Sequence, residues 1–165
     1  MGAGFENFLT KYSGTRSNLS DGMSLYKKYC LIFSFTTIIL SIEENIIFLP
    51  FREDVPDILS AADIFILPSL WEGLPIGLLE AMSMGKAVIA TNVDGTSEIV
   101  RHQHNGYLVT VDNLQTELAE AILLLVQDTD LRQQFGGHAI ETVKNHFSAA
   151  NMTRQIENIY TSLYR

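Results

Sequence analysis

Cysteine, basic charge and long apolar runs are what this 165-residue chain has least of. Its single cysteine, Cys30, cannot close an internal disulfide, which excludes a disulfide-stapled secreted scaffold and fits an intracellular protein. Eleven Lys and Arg stand against nineteen Asp and Glu, for a formal net charge of −8. No broad field therefore attracts phosphate backbones or anionic lipid, and nucleic acid is excluded as a partner. The most apolar run, Cys30 to Ile42, is interrupted by Ser34, Thr36, Thr37 and Ser41 and falls short of the roughly 20 residues that cross a bilayer. It also begins too far into the chain to read as a signal peptide. No Cys/His cluster has structural-zinc spacing, His102 and His104 share a turn without a carboxylate partner, and no Ser/His/Asp or Cys/His set stands out. The expectation is a metal-free, cytoplasmic chain, with peripheral contact at the cytoplasmic face of a membrane compatible with it.

What is present is enough apolar material for one packed domain: 47% hydrophobic residues with 18% charged. From Ser41 onward, short apolar runs bounded by turn signals alternate with segments of helical period, which predicts βα units and a parallel sheet with helices on both faces. Residues 1–40 lack that order and read as a divergent segment preceding a domain over 41–165. Strands are expected at Ile46–Leu49, Asp63–Leu67, Ala87–Ala90 and Tyr107–Val111. Between them, Asp54 with Pro56 opens a helix to Ala61, Gly77–Met84 forms a second closed by a left-handed Gly85, and Ser97–Arg101 forms a short third. Asp112 or Asn113 caps an amphipathic helix carrying Leu114, Leu118, Ile122 and Leu125, and Gly136-Gly137 reads as a break after it. A last helix runs from a Ser148 cap to about Tyr160, its face of Met152, Ile156, Ile159 and Leu163 expected to pack in the core.

In an open parallel sheet, ligands bind beyond the carboxyl ends of the strands. That edge receives three loops, Pro50-Phe51-Arg52, Pro68 to Gly77 and Thr91 to Glu98, whereas Lys86 precedes its strand and falls at the opposite edge as a solvated cation. The second loop carries most information. It reads P-S-L-W-E-G-L-P-I-G-L-L-E, two carboxylates eight positions apart around a Gly/Pro turn that opens a helix. Unpaired N–H groups and the helix dipole suit a diphosphate, and a carboxylate accepts two hydrogen bonds at once from a vicinal diol. A nucleotide-sugar offers both. Trp71 either flanks the sugar or packs at the loop base, and Arg52 either approaches a phosphate or pairs with Glu53 or Asp54.

Glu72 and Glu80 resemble the E-x7-E motif of retaining glycosyltransferases of the GT-B fold, group 1 or family 4. Ile46 to Ser69 and the V-D-G-T-S-E-I-V stretch from Val93 to Val100 are similar to the same family in the same order, so the resemblance covers about Ser41 to Leu163. It implies the donor-binding, C-terminal Rossmann-like domain of a two-domain enzyme, incomplete at its N-terminus. By that resemblance Glu80 accepts the ribose hydroxyls of the donor, and Glu72, the catalytic-site carboxylate, binds the transferred sugar. The backbone of Gly73, Leu74, Pro75, Ile76 and Gly77 faces sugar and diphosphate. Phe51 and Arg52 lie against the base, while Thr96 and Glu98 close another side. The implied reaction is glycosyl transfer from a nucleoside-diphosphate sugar, as in polysaccharide biosynthesis, without a metal or other cofactor.

Three departures qualify what the resemblance implies. The Arg and Lys of a G-R-L-x-x-x-K-G-like segment, which the family places on the diphosphate, are not found. Pro50 stands where the family usually has Gly, and no acceptor-binding domain is present. Alternative functions are therefore a non-catalytic nucleotide-sugar-binding or structural remnant, and the donor half of a two-chain enzyme whose partner chain presents the acceptor.

Overall fold

The computed structural model describes Ile47, Leu49 and residues 51–164. The chain divides into two compact units, Met1–Glu53 and Asp54–Arg165, and the elements below all belong to the second. In the first, Ile47 and Leu49 are exposed and lie outside any strand. The rest of the expected Ile46–Leu49 strand, and the boundary at Ser41, lie outside the described residues.

Helix α1 (Val55–Ala61) is followed by strand β1 (Ile64–Leu67), α2 (Ile76–Ser83), β2 (Ala87–Thr91), α3 (Asp94–Ile99) and β3 (Tyr107–Val109). Three helices complete the chain, α4 (Leu114–Gln127), α5 (Thr129–His146) and α6 (Ala149–Leu163). The three strands are parallel in the order β1-β2-β3, as the alternating pattern requires. All five residues of β2 are buried, which explains why A-V-I-A-T reads as one continuous apolar run rather than an alternation.

Alternation survives in which face each residue serves. Val88 and Ala90 join Leu78, Met82, Ile99 and Ala139 in one core cluster. Ala87 and Ile89 join Val109, Ala121, Leu125 and Phe135 in the other. Helices therefore cover both faces, and the Leu114, Leu118, Ile122, Leu125 stripe of α4 packs in the second cluster as its spacing predicts.

Local signals set most boundaries. Asp54 precedes α1 with Pro56 in the first turn. Gly85 adopts φ +70°, the left-handed conformation that ends α2 and that a side chain rarely takes. At the α4–α5 junction, Asp128 accepts from the Leu131 N–H at 2.8 Å, while the Arg132 guanidinium donates to the Leu125 carbonyl and to that of Val126 at 3.1 Å. One side chain thus starts a helix and another closes the previous one.

Three expectations are corrected. Gly136-Gly137 is no break: both lie inside the 18-residue α5. A Cβ on Gly136 would stand 2.1 Å from the Gly85 carbonyl oxygen, so glycine serves close approach of helix to turn there. The short third helix starts at Asp94 instead of Ser97, because the Thr96 side chain organises its first turn. Helix α6 begins at its Ser148 cap, which accepts from the Asn151 N–H at 3.3 Å, but has no buried residue. Met152, Ile156, Ile159 and Leu163 are all exposed, so the amphipathic period reports a face outside this core.

Candidate functional site

The register of the sheet builds the site. Leu67 lies beside Ala90, so the chain leaves β1 and β2 at nearly the same height on one edge. The Thr91 hydroxyl donates to the Leu67 carbonyl at 3.2 Å and pins the two strand ends together. The loops 68–75 and 92–93 then emerge side by side, as the carboxyl-end rule predicts.

They are also in contact further out. A Cβ on Gly95 would stand 1.7 Å from the Gly73 carbonyl oxygen and 3.1 Å from that of Glu72. Only a glycine lets the Glu72-Gly73 backbone rest on the start of α3. Gly95 is the packing position that sequence reading passes over: it stood in the Thr91–Glu98 loop with no role of its own, and only the contact between the two loops shows why glycine is needed there.

Glu72 is half-buried in the first of these loops, and Glu80 is exposed on the second turn of α2. Gly73, Leu74, Ile76 and Gly77 are exposed, while Pro75 is buried as the N-cap of α2. The Pro75 carbonyl accepts from Leu78 and Leu79 at 3.1 and 3.3 Å. No side chain caps this N-terminus and its first turn holds no acidic residue. A helix start in that condition presents N–H groups and positive potential outward. Beyond Gly73, a Cβ would meet nothing within 4 Å, so space remains directly over the loop.

Thr96 and Glu98 part company. Glu98 is exposed. Thr96 is fully buried; its hydroxyl accepts from the Val93 N–H at 3.2 Å and donates to the Thr91 carbonyl. Its side chain is committed to shaping the loop after β2, and that is its contribution to the edge. Trp71 is 84% exposed, so it is no packed anchor at the loop base. Lys86 is at the opposite edge as expected, where its ammonium donates to the Ser60 carbonyl at 3.1 Å rather than standing fully solvated. Phe51 and Arg52 are exposed residues of the other unit.

A cavity of about 560 Å³ lies elsewhere, between β3 and α4, with His102, Tyr107, Thr110, Glu117 and Glu120 among its walls. The predicted site is an open ledge and not this cavity. Among the described residues, no group of three or more His, Cys, Asp or Glu could hold a metal ion, and no helix is long and apolar enough to cross a membrane.

Comparison with known proteins bears on the family and the fold. The family described as glycosyl transferases group 1 matches residues 34–128. N-acetyl-alpha-D-glucosaminyl L-malate synthase of Bacillus anthracis is 33% identical over 126 residues, covering 76% of this chain and 33% of that protein. Among solved structures, Anabaena HepE in complex with UDP-glucose is similar at 30% identity and a TM-score of 0.72, over 79% of this chain and 36% of HepE. The C-terminal domain of the group 1 glycosyl transferase LpcC from Francisella tularensis is similar at 28% identity and a TM-score of 0.63, over 70% of this chain and 60% of that domain. The chain spans about a third of the length of the curated relatives it matches. The chain belongs to the group 1 glycosyltransferases and, with its three-stranded parallel sheet, has the Rossmann-like fold of their C-terminal domains.

Proposed function

We propose that this chain is the donor-binding portion of a retaining glycosyltransferase that takes its sugar from a nucleoside-diphosphate sugar. The observation that carries this reading is the Gly73–Gly95 contact, which holds an uncapped helix start and two carboxylates on one open ledge. A diphosphate fits against the N–H groups of Ile76 and Gly77. Glu80, on the second turn of the same helix, accepts a vicinal pair of ribose hydroxyls, and Glu72 accepts hydroxyls of the transferred sugar. Glu98 borders the same ledge, with Thr96 holding the loop that carries it. The complex of HepE with UDP-glucose supports the donor class.

In such a reaction negative charge grows on the departing diphosphate, and preorganised N–H groups stabilise it without reorganising. No metal is required of these residues. Residues 68–77 and 92–98 contain no Lys or Arg, which favours a second reading: donor binding here, with turnover dependent on cations and an acceptor wall contributed from outside these loops. The acceptor side, a membrane contact and a cytoplasmic location belong to the same proposal.

Calorimetry of the purified chain with UDP, GDP and their sugars, beside Glu80→Ala, tests it. Saturable binding weakened at least tenfold by the substitution is expected, about the 1.4 kcal/mol that a lost charge-assisted hydrogen bond carries. A folded chain that binds no nucleotide removes the donor-site reading. Binding without release of sugar from UDP-sugars selects the second reading over the first.

A further inference from the structure

The outer edge of the sheet is capped, and the cap is built from two titratable side chains. The Asn92 N–H donates to the Val109 carbonyl at 2.7 Å, so Val109 turns its backbone inward and its alternating neighbours Leu108 and Thr110 turn theirs outward. Neither outward N–H is left open. Leu108 donates to the His102 Nδ1 at 3.1 Å, and Thr110 donates to the Glu117 Oε2 at 2.6 Å, while the Thr110 hydroxyl donates to the Oε1 at 2.7 Å. An edge strand with free N–H groups is a template for pairing with another chain.

For His102 to accept at Nδ1 its proton must sit on Nε2. Protonation places a second N–H at Nδ1, facing the Leu108 N–H, and converts an attraction into a repulsion. Glu117 has no such conflict until it is itself protonated. We propose that His102 and Glu117 form an acid-released cap on the outer edge of β3, in which protonation of His102 frees the Leu108 N–H and protonation of Glu117 frees the Thr110 N–H.

The groups facing His102 come from three elements. Tyr107 of β3 meets it edge-on at 5.2 Å, and Glu117 and Glu120 of α4 share its cavity. On its own turn stand Arg101 and His104, the latter stacked at 4.2 Å on His138 of α5. Hydrogen bonds from Thr110 hold the Glu117 carboxyl below its ordinary value.

Amide hydrogen exchange of the full chain, labelled with ¹⁵N and read at pH 7.5 and 5.0 against the intrinsic rate at each pH, tests the proposal. Leu108 is expected to lose about tenfold in protection at pH 5.0, the weight of one hydrogen bond, while Val109 and Thr110 keep theirs. His102→Phe, which keeps a ring against Tyr107 but offers no acceptor, exposes Leu108 equally at both pH values. His102→Gln, whose amide oxygen accepts without titrating, protects it at both. Unchanged Leu108 protection in the native chain, or full protection in His102→Phe, overturns the cap; loss at Val109 as well overturns it in favour of opening of the whole strand.

Discussion

Gly95 and Gly73 touch backbone to backbone: a Cβ on Gly95 would stand 1.7 Å from the Gly73 carbonyl oxygen. The loop carrying Glu72 therefore rests on the first turn of α3. Gly95→Ala must push the loops apart, and overpacking of this kind costs about 1–3 kcal/mol. Urea unfolding is expected to show that loss, and nucleotide binding to weaken beyond it because Glu72 shifts with its loop. Native-like stability in the variant would mean the two loops yield freely.

Two adjacent glycines in α5 should respond in opposite directions. A Cβ on Gly137 meets nothing within 4 Å, whereas one on Gly136 overlaps the Gly85 carbonyl at 2.1 Å. Gly137→Ala is expected to stabilise the chain by about 0.5–1 kcal/mol through helix propensity alone. Gly136→Ala is expected to destabilise it and to lower the midpoint of chemical unfolding. Equal effects from both would show that α5 can slide away from the α2 turn.

Asn105 is fully buried and fully used. It accepts from the Arg101 N–H at 2.7 Å and donates to the Ile99 carbonyl at 3.2 Å and to the Thr142 hydroxyl at 2.9 Å. Asn105→Ala leaves buried partners unsatisfied, which costs roughly 1–3 kcal/mol. The melting temperature should fall while the strand content seen by circular dichroism is retained below it.

The Glu117 carboxyl is held low first by the Thr110 N–H, then by the Thr110 hydroxyl, with Asn113 and His102 adding smaller effects against a desolvation that raises it. A depressed native pKa means the unfolded chain binds more protons in the acid range. The stabilisation is thus present above the ordinary Glu value of about 4.3 and is lost as pH falls through the native one. Glu117→Gln should flatten that acid limb in a stability-versus-pH series by lowering stability at neutral pH while leaving the acid end little changed; an unaltered acid limb would assign it to other carboxylates.

The apolar stripe of α6 tests what belongs to the core. Met152, Ile156, Ile159 and Leu163 are exposed, so Ile159→Ser is expected to change stability by less than about 0.5 kcal/mol, as surface substitutions do. A loss of several times that in equilibrium unfolding would show that this face is covered in solution.

Much of this molecule could be read from the chain because the signals act over a few residues. Asp54-Val55-Pro56 opens α1, the left-handed Gly85 closes α2, and Ser148 starts α6. The four leucine-type positions of α4 find the core that their spacing implies. Of the three loops that the carboxyl-end rule selected, the sheet register brings 68–77 and 91–98 together. The reading of Gly136-Gly137 as a break and of the α6 face as core went astray for one reason. Period and propensity report what a segment can do alone, and in both cases a distant neighbour, present or missing, decided the outcome.

By itself, then, the sequence determined the parallel βα order, most of the helix ends and the pairing of two glutamates with a helix start, since each depends on local conformational preference or short spacing. Tertiary structure alone decided that Gly95 seats the Glu72 loop, that Gly136 meets Gly85, that Thr96 turns inward and that His102 and Glu117 reach the edge of β3. Those are contacts between segments that no local rule orders, and they exist only because close packing of two helical layers on one sheet leaves each backbone a single place to go.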